Sequence, residues 1–365
     1  MKTSLKLFFV FAFIGFTSNA LAFDFSLKGN PVASFSVGRY ETGEFFIRNF
    51  EGTFSNAYEY FFLKAQFDVS PLSIINLSPR YSTGATEITS QKNILELFRI
   101  KETYISTRGL PYIRLRFGKL FGEVGMYNKI TFWERNFVER PAFITEFFGR
   151  DGFIDNGIEF SFLPPLPWYL EVLVQVLDGN SPSFSSLGSW DFVYVGRIKN
   201  VISGDEFSGG FGASVAAGRN YAGKAVGECD FRGRYIVCLN STDFFGGDGF
   251  FKWQRGKKYV FVGTEYLLRR KQEPGIRKME GGLVFEISSQ PFNFFAAGVR
   301  PSLFGIPGTV EGDGKQKLPS TFDIDFSLTF IPVERVKLRF QWSGNFGENT
   351  ESLNTLFLQG IFDIM

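Results

Sequence analysis

The stretch Thr321–Pro332, TFDIDFSLTFIP, alternates polar and apolar residues from Thr321 to Phe330. Its apolar positions are Phe322, Ile324, Phe326, Leu328 and Phe330. Its polar positions are Thr321, Asp323, Asp325, Ser327 and Thr329. Because successive side chains of a strand point to opposite faces, this stretch predicts a β-strand with one apolar and one polar face.

The next segment, Glu334–Ser343, repeats the pattern. Its apolar face carries Val336, Leu338, Phe340 and Trp342. Its polar face carries Arg335, Lys337, Arg339, Gln341 and Ser343. A tight turn around Pro332–Glu334 would join the two strands as a hairpin.

The same alternation recurs along the chain, with Gly, Pro, Asn and Ser clusters between the segments. Clear examples are Phe61–Val69, Tyr112–Phe117, Ile158–Phe162 and Tyr169–Val176. About 300 residues pass without a convincing amphipathic helix or an apolar run long enough to be a membrane helix. The sequence therefore predicts an all-β protein.

Composition restricts the function. The 365 residues include 48 Phe and 40 Gly, and hydrophobic residues make up only 44%, which argues against a helical membrane protein. The chain has no His and two Cys, which removes His-assisted catalysis, His-ligated zinc and a four-thiolate site. We therefore predict no catalytic residues, no metal site and no cofactor.

Residues 1–22 have the features of a secretory signal peptide. Lys2 and Lys6 precede the apolar run Leu7–Phe16, and Ala20–Ala22 is an A-x-A cleavage signal. An uncleaved anchor helix is the alternative. Removal of Lys2 and Lys6 lowers Lys+Arg from 39 to 37, equal to the 37 Asp+Glu, so the mature charge predicts no nucleic-acid partner.

Residues 23–365 then form a single domain. A soluble antiparallel sheet with one wet face would also alternate. The Phe-rich apolar faces, the number of strands and export together favour a transmembrane antiparallel β-barrel in the bacterial outer membrane, with lipid outside and water inside. Strands of about 10 residues with their turns give about 16 strands, with a range of 14 to 18.

One region resembles the phosphate-selective porin O and P family of bacterial outer membranes. The similarity lies in Tyr112–Asn180, where Phe117-Gly118-Lys119 follows a strand through Lys101–Ile105. Phe137, Glu139-Arg140, Arg150-Asp151-Gly152, Gly157 and the strand Ile158–Phe160 complete it. The resemblance implies a 16-stranded homotrimer that passes small hydrophilic solutes or anions.

The assembly signal departs from a common pattern. Many outer-membrane barrels end in Phe, whereas this sequence ends Phe362-Asp363-Ile364-Met365. The barrel assembly machinery remains an expected partner, and outer-membrane lipid is the other.

If the apolar faces meet lipid, the polar faces line the lumen. The cations expected there are Arg114, Arg116, Lys119, Arg335, Lys337, Arg339, Arg99 and Lys101. Rings of Arg or Lys favour anions in pores, and Arg can bind oxyanions through two donors. Wet walls also need polar residues of any charge, and Asp323, Asp325, Glu159 and Glu171 offset the cations.

Two segments are predicted to be long loops. Segment 120–156 either folds into the barrel as a constriction or covers it from outside. Its candidate constriction residues are Glu134, Arg135, Glu139, Arg140, Arg150 and Asp151. Segment 219–258 is polar and Gly-rich, and its Cys229 and Cys238 are expected to form a disulfide in the oxidising periplasm, two free thiols being the alternative.

The function predicted is that of an outer-membrane porin, which lets small hydrophilic solutes diffuse passively and has a possible preference for phosphate-like anions. A structural or adhesive barrel with a closed lumen is the alternative. An outer-membrane enzyme is disfavoured because its nucleophile or water would lack a His base.

Overall fold

A computed structural model shows the fold of the chain. The structure describes residues 24–37, 42–57, 61–69, 75–76, 98–107, 110–130, 134–149, 152–179, 181, 183–184, 192–220, 230–232, 235–237, 241–273, 276–311, 316–347 and 353–364. The signal sequence, Cys229, Cys238, Arg150 and Asp151 lie outside these residues.

Sixteen strands within the described residues form one antiparallel sheet. They are β1 (Asp24–Val37), β2 (Thr42–Ala57), β3 (Phe61–Val69), β5 (Phe98–Thr107), β6 (Ile113–Phe121), β7 (Ile154–Phe162), β8 (Tyr169–Leu177), β9 (Val193–Ser203), β10 (Phe207–Arg219), β13 (Ser241–Arg255), β14 (Lys258–Glu273), β15 (Ile276–Phe292), β16 (Phe295–Phe304), β19 (Thr321–Val333), β20 (Val336–Gly347) and β21 (Leu353–Ile364).

Five shorter strands and one helix lie between these long strands. They are β4 (Ile75–Asn76), β11 (Asp230–Arg232), β12 (Tyr235–Val237), β17 (Thr309–Glu311), β18 (Gln316–Lys317) and the helix α1 (Ala142–Phe148). Among the described residues, no helix has the length and apolarity needed to span a membrane.

The long strands pair in a closed ring. Each one pairs with the next long strand along the chain. The last strand, β21, also pairs with β1, from Leu27 opposite Ile364 to Val37 opposite Asn354. This pairing removes both sheet edges and makes the sheet a barrel.

The two ends of the barrel differ. At one end, hereafter the short-turn end, consecutive strands are joined by segments such as 204–206, 256–257, 293–294 and 334–335. At the other, the long-loop end, the connections include 122–153, 178–192 and 220–240. Short turns at one end and long loops at the other are typical of outer-membrane barrels.

Neighbouring residues in one strand point to opposite sides of the wall. On β19, Phe326 is 46% exposed and Asp325 is 7% exposed. The exposed apolar residues of this kind include Phe160, Val174, Ile198, Val215, Phe285, Phe326, Phe340 and Leu358. Their buried polar neighbours are Glu159, Gln175, Arg197, Ser214, Glu286, Asp325, Gln341 and Gln359. The apolar belt therefore faces outwards and the polar residues face the interior, as expected for a barrel in lipid.

The hairpin expected from Thr321–Ser343 is confirmed. β19 and β20 pair with Phe326 opposite Trp342 and Asp325 opposite Ser343, and the turn is at Glu334 and Arg335. The rings of Phe326 and Trp342 lie 5.6 Å apart on the outer face.

The prediction of a loop over 219–258 is wrong for its second half. Ser241–Arg255 forms β13, which pairs with β10 over Ser241–Trp253 and with β14 over Thr242–Arg255. The glycines and the doublet Phe244-Phe245 obscured the alternation, because inward Phe244 is fully buried and breaks the rule that inward residues are polar. Only 220–240 separates β10 from β13.

Leu328 on the outer face of β19 provides a test of membrane orientation. Leu328→Lys places a charge near the middle of the belt and is expected to reduce stability by about 2–4 kcal/mol. Val333→Lys, on the same strand beside the turn, should cost only about 0–1 kcal/mol. Unfolding by urea in lipid vesicles measures both, and equal costs for the two variants would contradict this orientation.

Candidate functional site

The connection between β6 and β7, residues 122–153, is called the inner loop here, and its described residues, 122–130, 134–149 and 152–153, lie inside the barrel. It forms hydrogen bonds to inward-facing side chains of strands on the opposite part of the wall, from β10 to β20. The loop includes α1. It begins two residues after the start and ends three residues before the end of the expected segment 120–156.

The first part of the inner loop is held by an acid and an arginine. Glu265 on β14 accepts hydrogen bonds from the backbone N–H groups of Met126 and Tyr127, the latter at 2.8 Å. Arg197 on β9 donates to the carbonyl of Gly125. Gly125 has φ +66°, and a Cβ there would collide with the Glu265 carboxylate, so the close approach requires glycine.

Asp248 completes this contact from β13. Both of its carboxylate oxygens lie 2.9 Å from Arg197 Nη2, and the two side chains are each 5% exposed. This pairing offsets the cost of burying the guanidinium. Arg197 is thereby fixed where it can donate to the loop.

The second part of the inner loop, residues 135–139, is held mainly by two arginines. Arg339 on β20 donates to the carbonyls of Arg135 at 2.7 Å and Phe137 at 3.3 Å. Arg300 on β16 donates to the carbonyl of Glu139 at 2.9 Å and is paired with Asp325 at 2.7 Å.

Asn136 at the same place is bound through its side chain and its carbonyl. Its amide nitrogen donates to Glu286 Oε1 at 2.8 Å and to Ser288 Oγ at 2.7 Å. Its side-chain oxygen accepts from the Tyr259 hydroxyl at 2.9 Å, and its carbonyl accepts from Ser327 Oγ at 2.7 Å. The loop is thus docked largely through polar groups of its own backbone and one amide.

An aromatic cluster fills part of the interior near the long-loop end. α1 contributes Phe143, Ile144, Phe147 and Phe148, which are at most 1% exposed. They pack with residues of the wall and of neighbouring segments, which include Phe153, Phe184, Phe244, Leu267 and Val284. Inward-facing apolar residues on the wall therefore match an apolar helix face.

Arg114 and Arg116 face the interior, but carboxylates from the next strands accompany them. Glu171 on β8 pairs with Arg114. Glu159 on β7, which is 1% exposed, lies 3.2 Å from Arg116 and 3.8 Å from Arg114. These two arginines therefore form a largely neutral group with their acids.

Other predicted lumen cations occupy different places. The expectation for Lys119 is wrong, because it follows the outward register of exposed Phe117 and alternates with buried Leu120. Arg335 is exposed in the β19–β20 turn rather than on the lumen wall. Arg99 and Lys101 lie in β5, beside a register irregularity at Lys101, and their side chains are outside the described set.

The candidate constriction residues are spread over the inner loop. Glu134 and Arg135 line a cavity described below. Arg140 is buried and donates to the carbonyl of Asn128 at 3.1 Å, and the backbone carbonyl of Glu139 accepts from Arg300.

The inner loop and the wall from β13 to β20 line an open cavity of about 490 Å³. Its basic residues are Arg135, Lys252, Arg300, Lys337 and Arg339, and its acidic residues are Glu134 and Glu286. Sequence reasoning missed Lys252, since the segment 219–258 was expected to be a loop. The alternation of Lys252 with exposed Phe251 and Trp253 is the signal that could have found it.

Arg339 differs from the other arginines of this cavity. It is 2% exposed, and its acceptors are Thr329, Gln359 and the two loop carbonyls, all of which are uncharged. Among the described residues, no carboxylate forms an ion pair with Arg339. Its positive charge is therefore not cancelled by a contacting acid and extends into the cavity.

The inner loop also contains an ion pair of its own, between Glu123 and Lys129. Burial by itself would raise the pKa of Glu123, but the charges of Lys129, Arg197 and Arg116 and the hydrogen bond from Lys129 together outweigh burial and lower that pKa to about 2. The same carboxylate raises the pKa of Lys129 against the effect of burial.

A closed ring of strands with an apolar outer belt and a largely polar interior defines a transmembrane β-barrel. No family model matches the chain. An uncharacterized protein of Aquifex aeolicus (strain VF5) is 25% identical over 277 residues, which are 67% of this chain and 56% of that protein. The chain therefore spans little more than half the length of the curated relative that it matches.

Solved structures similar to this chain are outer-membrane proteins. The anion-selective porin from Comamonas acidovorans has a TM-score of 0.60 and 8% identity, with 94% of this chain and all of that chain covered. OmpT of Vibrio cholerae has a TM-score of 0.58 and 6% identity, with 96% and 99% covered. The channel DcaP of Acinetobacter baumannii gives the same TM-score and coverage at 8% identity. These likenesses show that the chain has the porin fold.

Removal of the Arg339 guanidinium should loosen the inner loop. Arg339→Gln leaves the carbonyls of Arg135 and Phe137 without this donor, and each buried unsatisfied acceptor costs about 1–3 kcal/mol. Hydrogen exchange of peptides over 134–140 in the folded barrel should then become roughly tenfold faster or more. Arg335→Gln, in the exposed turn of the same hairpin, is the control and should exchange like the wild type. Unchanged exchange in Arg339→Gln would refute the anchoring role.

The Glu123–Lys129 pair predicts a loss of stability in acid. Because the pKa of Glu123 is lowered from 4.5 to about 2, its contribution is complete above pH 4.5 and declines as the pH falls towards 2. Glu123→Gln has no such contribution to lose. The difference in unfolding free energy between the two proteins should therefore shrink over this range, and a difference independent of pH would contradict the assignment.

Proposed function

We propose that this chain is a porin of the bacterial outer membrane, through which small hydrophilic solutes diffuse passively without chemical change. The observation that carries the proposal is the interior cavity, where polar and charged side chains line a space inside a barrel whose outside is apolar. A 16-stranded barrel is wide enough for an aqueous channel. The same proposal includes export by a cleaved signal peptide, contact of the outer face with outer-membrane lipid, and formation of a homotrimer.

The channel is proposed to prefer anions. Five basic and two acidic side chains line the cavity, and Arg339 has no contacting carboxylate among the described residues. Cations that line a pore raise the local concentration of anions. The anion-selective porin from Comamonas acidovorans shares the fold, which is consistent with this preference.

A dedicated phosphate site, which the resemblance to phosphate-selective porins implies, has less support. The guanidinium groups of Arg300 and Arg339 already donate hydrogen bonds to loop carbonyls, Asp325, Thr329 and Gln359. N–H groups that form these hydrogen bonds are not available to bind a phosphate through two hydrogen bonds. We therefore propose a general preference for anions.

The inner loop is proposed to act as the constriction of the channel. Its hydrogen bonds to β10, β14, β15, β16, β19 and β20 hold it inside the barrel rather than above it. The conductance of Arg339→Gln should exceed that of the wild type if the loosened loop widens the path.

One observation favours the second candidate, a structural or adhesive barrel with a closed lumen. The aromatic cluster around α1 excludes water from part of the interior. Single-channel recording separates the two candidates, because a folded barrel that gives no conductance steps would refute the porin.

Lys252 and Lys337 provide the test of anion preference. The double variant Lys252→Gln/Lys337→Gln removes two positive charges from the cavity and is expected to lower the anion-to-cation permeability ratio by roughly twofold or more. The reversal potential in a potassium chloride gradient measures this ratio. Lys257→Gln, in the exposed β13–β14 turn, is the control and should leave it unchanged. An unaltered reversal potential in the double variant would refute the role of these lysines.

A further inference from the structure

The cavity has an apolar side that a water-filled passage does not need. Phe261 on β14 and Ile331 on β19 line it, together with Tyr259, Ile130, Ala296 and Ala297. Phe261 and Ile331 face the interior, where side chains in contact with water are ordinarily polar. Neither residue belongs to the aromatic cluster around α1, so packing of that helix does not explain them.

Phe261 is also fixed in place. Its ring is stacked with that of Phe250 on β13, with centroids 6.3 Å and planes 20° apart. Both rings are half-buried rather than covered. A rigid aromatic surface is therefore presented to the cavity.

A cation lies at the edge of this surface. The Lys252 ammonium is 5.6 Å from the centroid of the Tyr259 ring, and both residues line the cavity. Within the described part of the chain, Lys252 forms no ion pair with a carboxylate, in contrast to Arg197, Arg269 and Arg300. Its ammonium can therefore accept an anionic partner without first losing an acidic one.

The combination selects for one kind of solute. The cavity of about 490 Å³ has the size of a site for a small organic molecule, and it combines an apolar patch with charged side chains. An inorganic anion would use the charges and gain nothing from Phe261 and Ile331. A carboxylate that carries a phenyl-sized apolar group would use both.

We propose that this cavity is a binding site for monovalent aromatic carboxylates, with Lys252 and Lys337 near the carboxylate and Phe261 and Ile331 against the ring. The proposal rests on the porin function proposed above and names the class of anion that the channel favours. In this proposal, Phe261 and Ile331 determine the specificity for an aromatic ring, whereas the two lysines determine the preference for anions.

Block of the chloride current tests the proposal. Benzoate and acetate are both fully ionised at pH 7.5 and differ in the ring. For the purified, refolded full chain in a planar bilayer, benzoate should halve the single-channel current at a concentration about tenfold below that of acetate. A tenfold difference is about 1.4 kcal/mol, which corresponds to roughly 55 Å² of apolar surface removed from water.

Variants assign the effect to the two sides of the site. Phe261→Asn and Ile331→Asn should each reduce the benzoate-to-acetate difference to about twofold or less, with the reversal potential unchanged. Lys252→Gln should weaken block by both anions. Phe292→Asn, beside the exposed β15–β16 turn and outside the cavity, is the matched control. Benzoate and acetate should block this variant as they block the wild type.

The failure of this proposal is distinct from failure of the porin function. Equal block by benzoate and acetate in a conducting wild-type channel would overturn the aromatic site alone, as would full discrimination in Phe261→Asn. Absence of conductance would overturn the porin function. Equilibrium dialysis of labelled benzoate against the folded barrel would then test the binding site directly. Binding of benzoate would support the site, and absence of binding would overturn it.

Discussion

The structure depends on one constraint, which is that no backbone polar group can remain unpaired in hydrocarbon. A sheet meets this constraint only when its first and last strands pair, as β1 and β21 do here. Once the ring is closed, alternation along each strand decides which side chains face outwards and which face the interior. Phe326 faces outwards because Asp325 faces inwards, and this holds around the wall.

The same constraint reappears in the interior, where the inner loop must satisfy its own backbone without forming a strand. Acids of the wall accept from its N–H groups, as Glu265 does, and arginines donate to its carbonyls, as Arg197, Arg300 and Arg339 do. A charged interior is thus partly a docking surface for main chain. Charge in a lumen is therefore not by itself evidence of solute recognition, and the contacts of each residue decide its role.

Sequence reasoning could predict what depends on alternation alone. It placed β19 and β20, their turn and the inward direction of Arg114, Arg116, Lys337 and Arg339. It failed where a long-range contact changes the rule. Phe244 is apolar and inward only because α1 packs against it, so β13 was mistaken for loop and Lys252 was missed. The ion pairs of Arg114 and Arg116 with Glu159 and Glu171 depend on register between strands, which one sequence does not reveal.

The interior therefore divides into two parts, one held by apolar packing and the other by hydrogen bonds and charge. Near α1, apolar wall residues meet an apolar helix face and exclude water, so this part stabilises the loop as a soluble core would. On the side of β13 to β20, the loop contributes main chain and the wall contributes charge, which leaves a cavity. The cluster and the hydrogen bonds hold the loop from two sides. In the proposed channel, discrimination among solutes then depends on the side chains that neither pack against α1 nor hold the loop, of which Lys252 and Phe261 are the clearest.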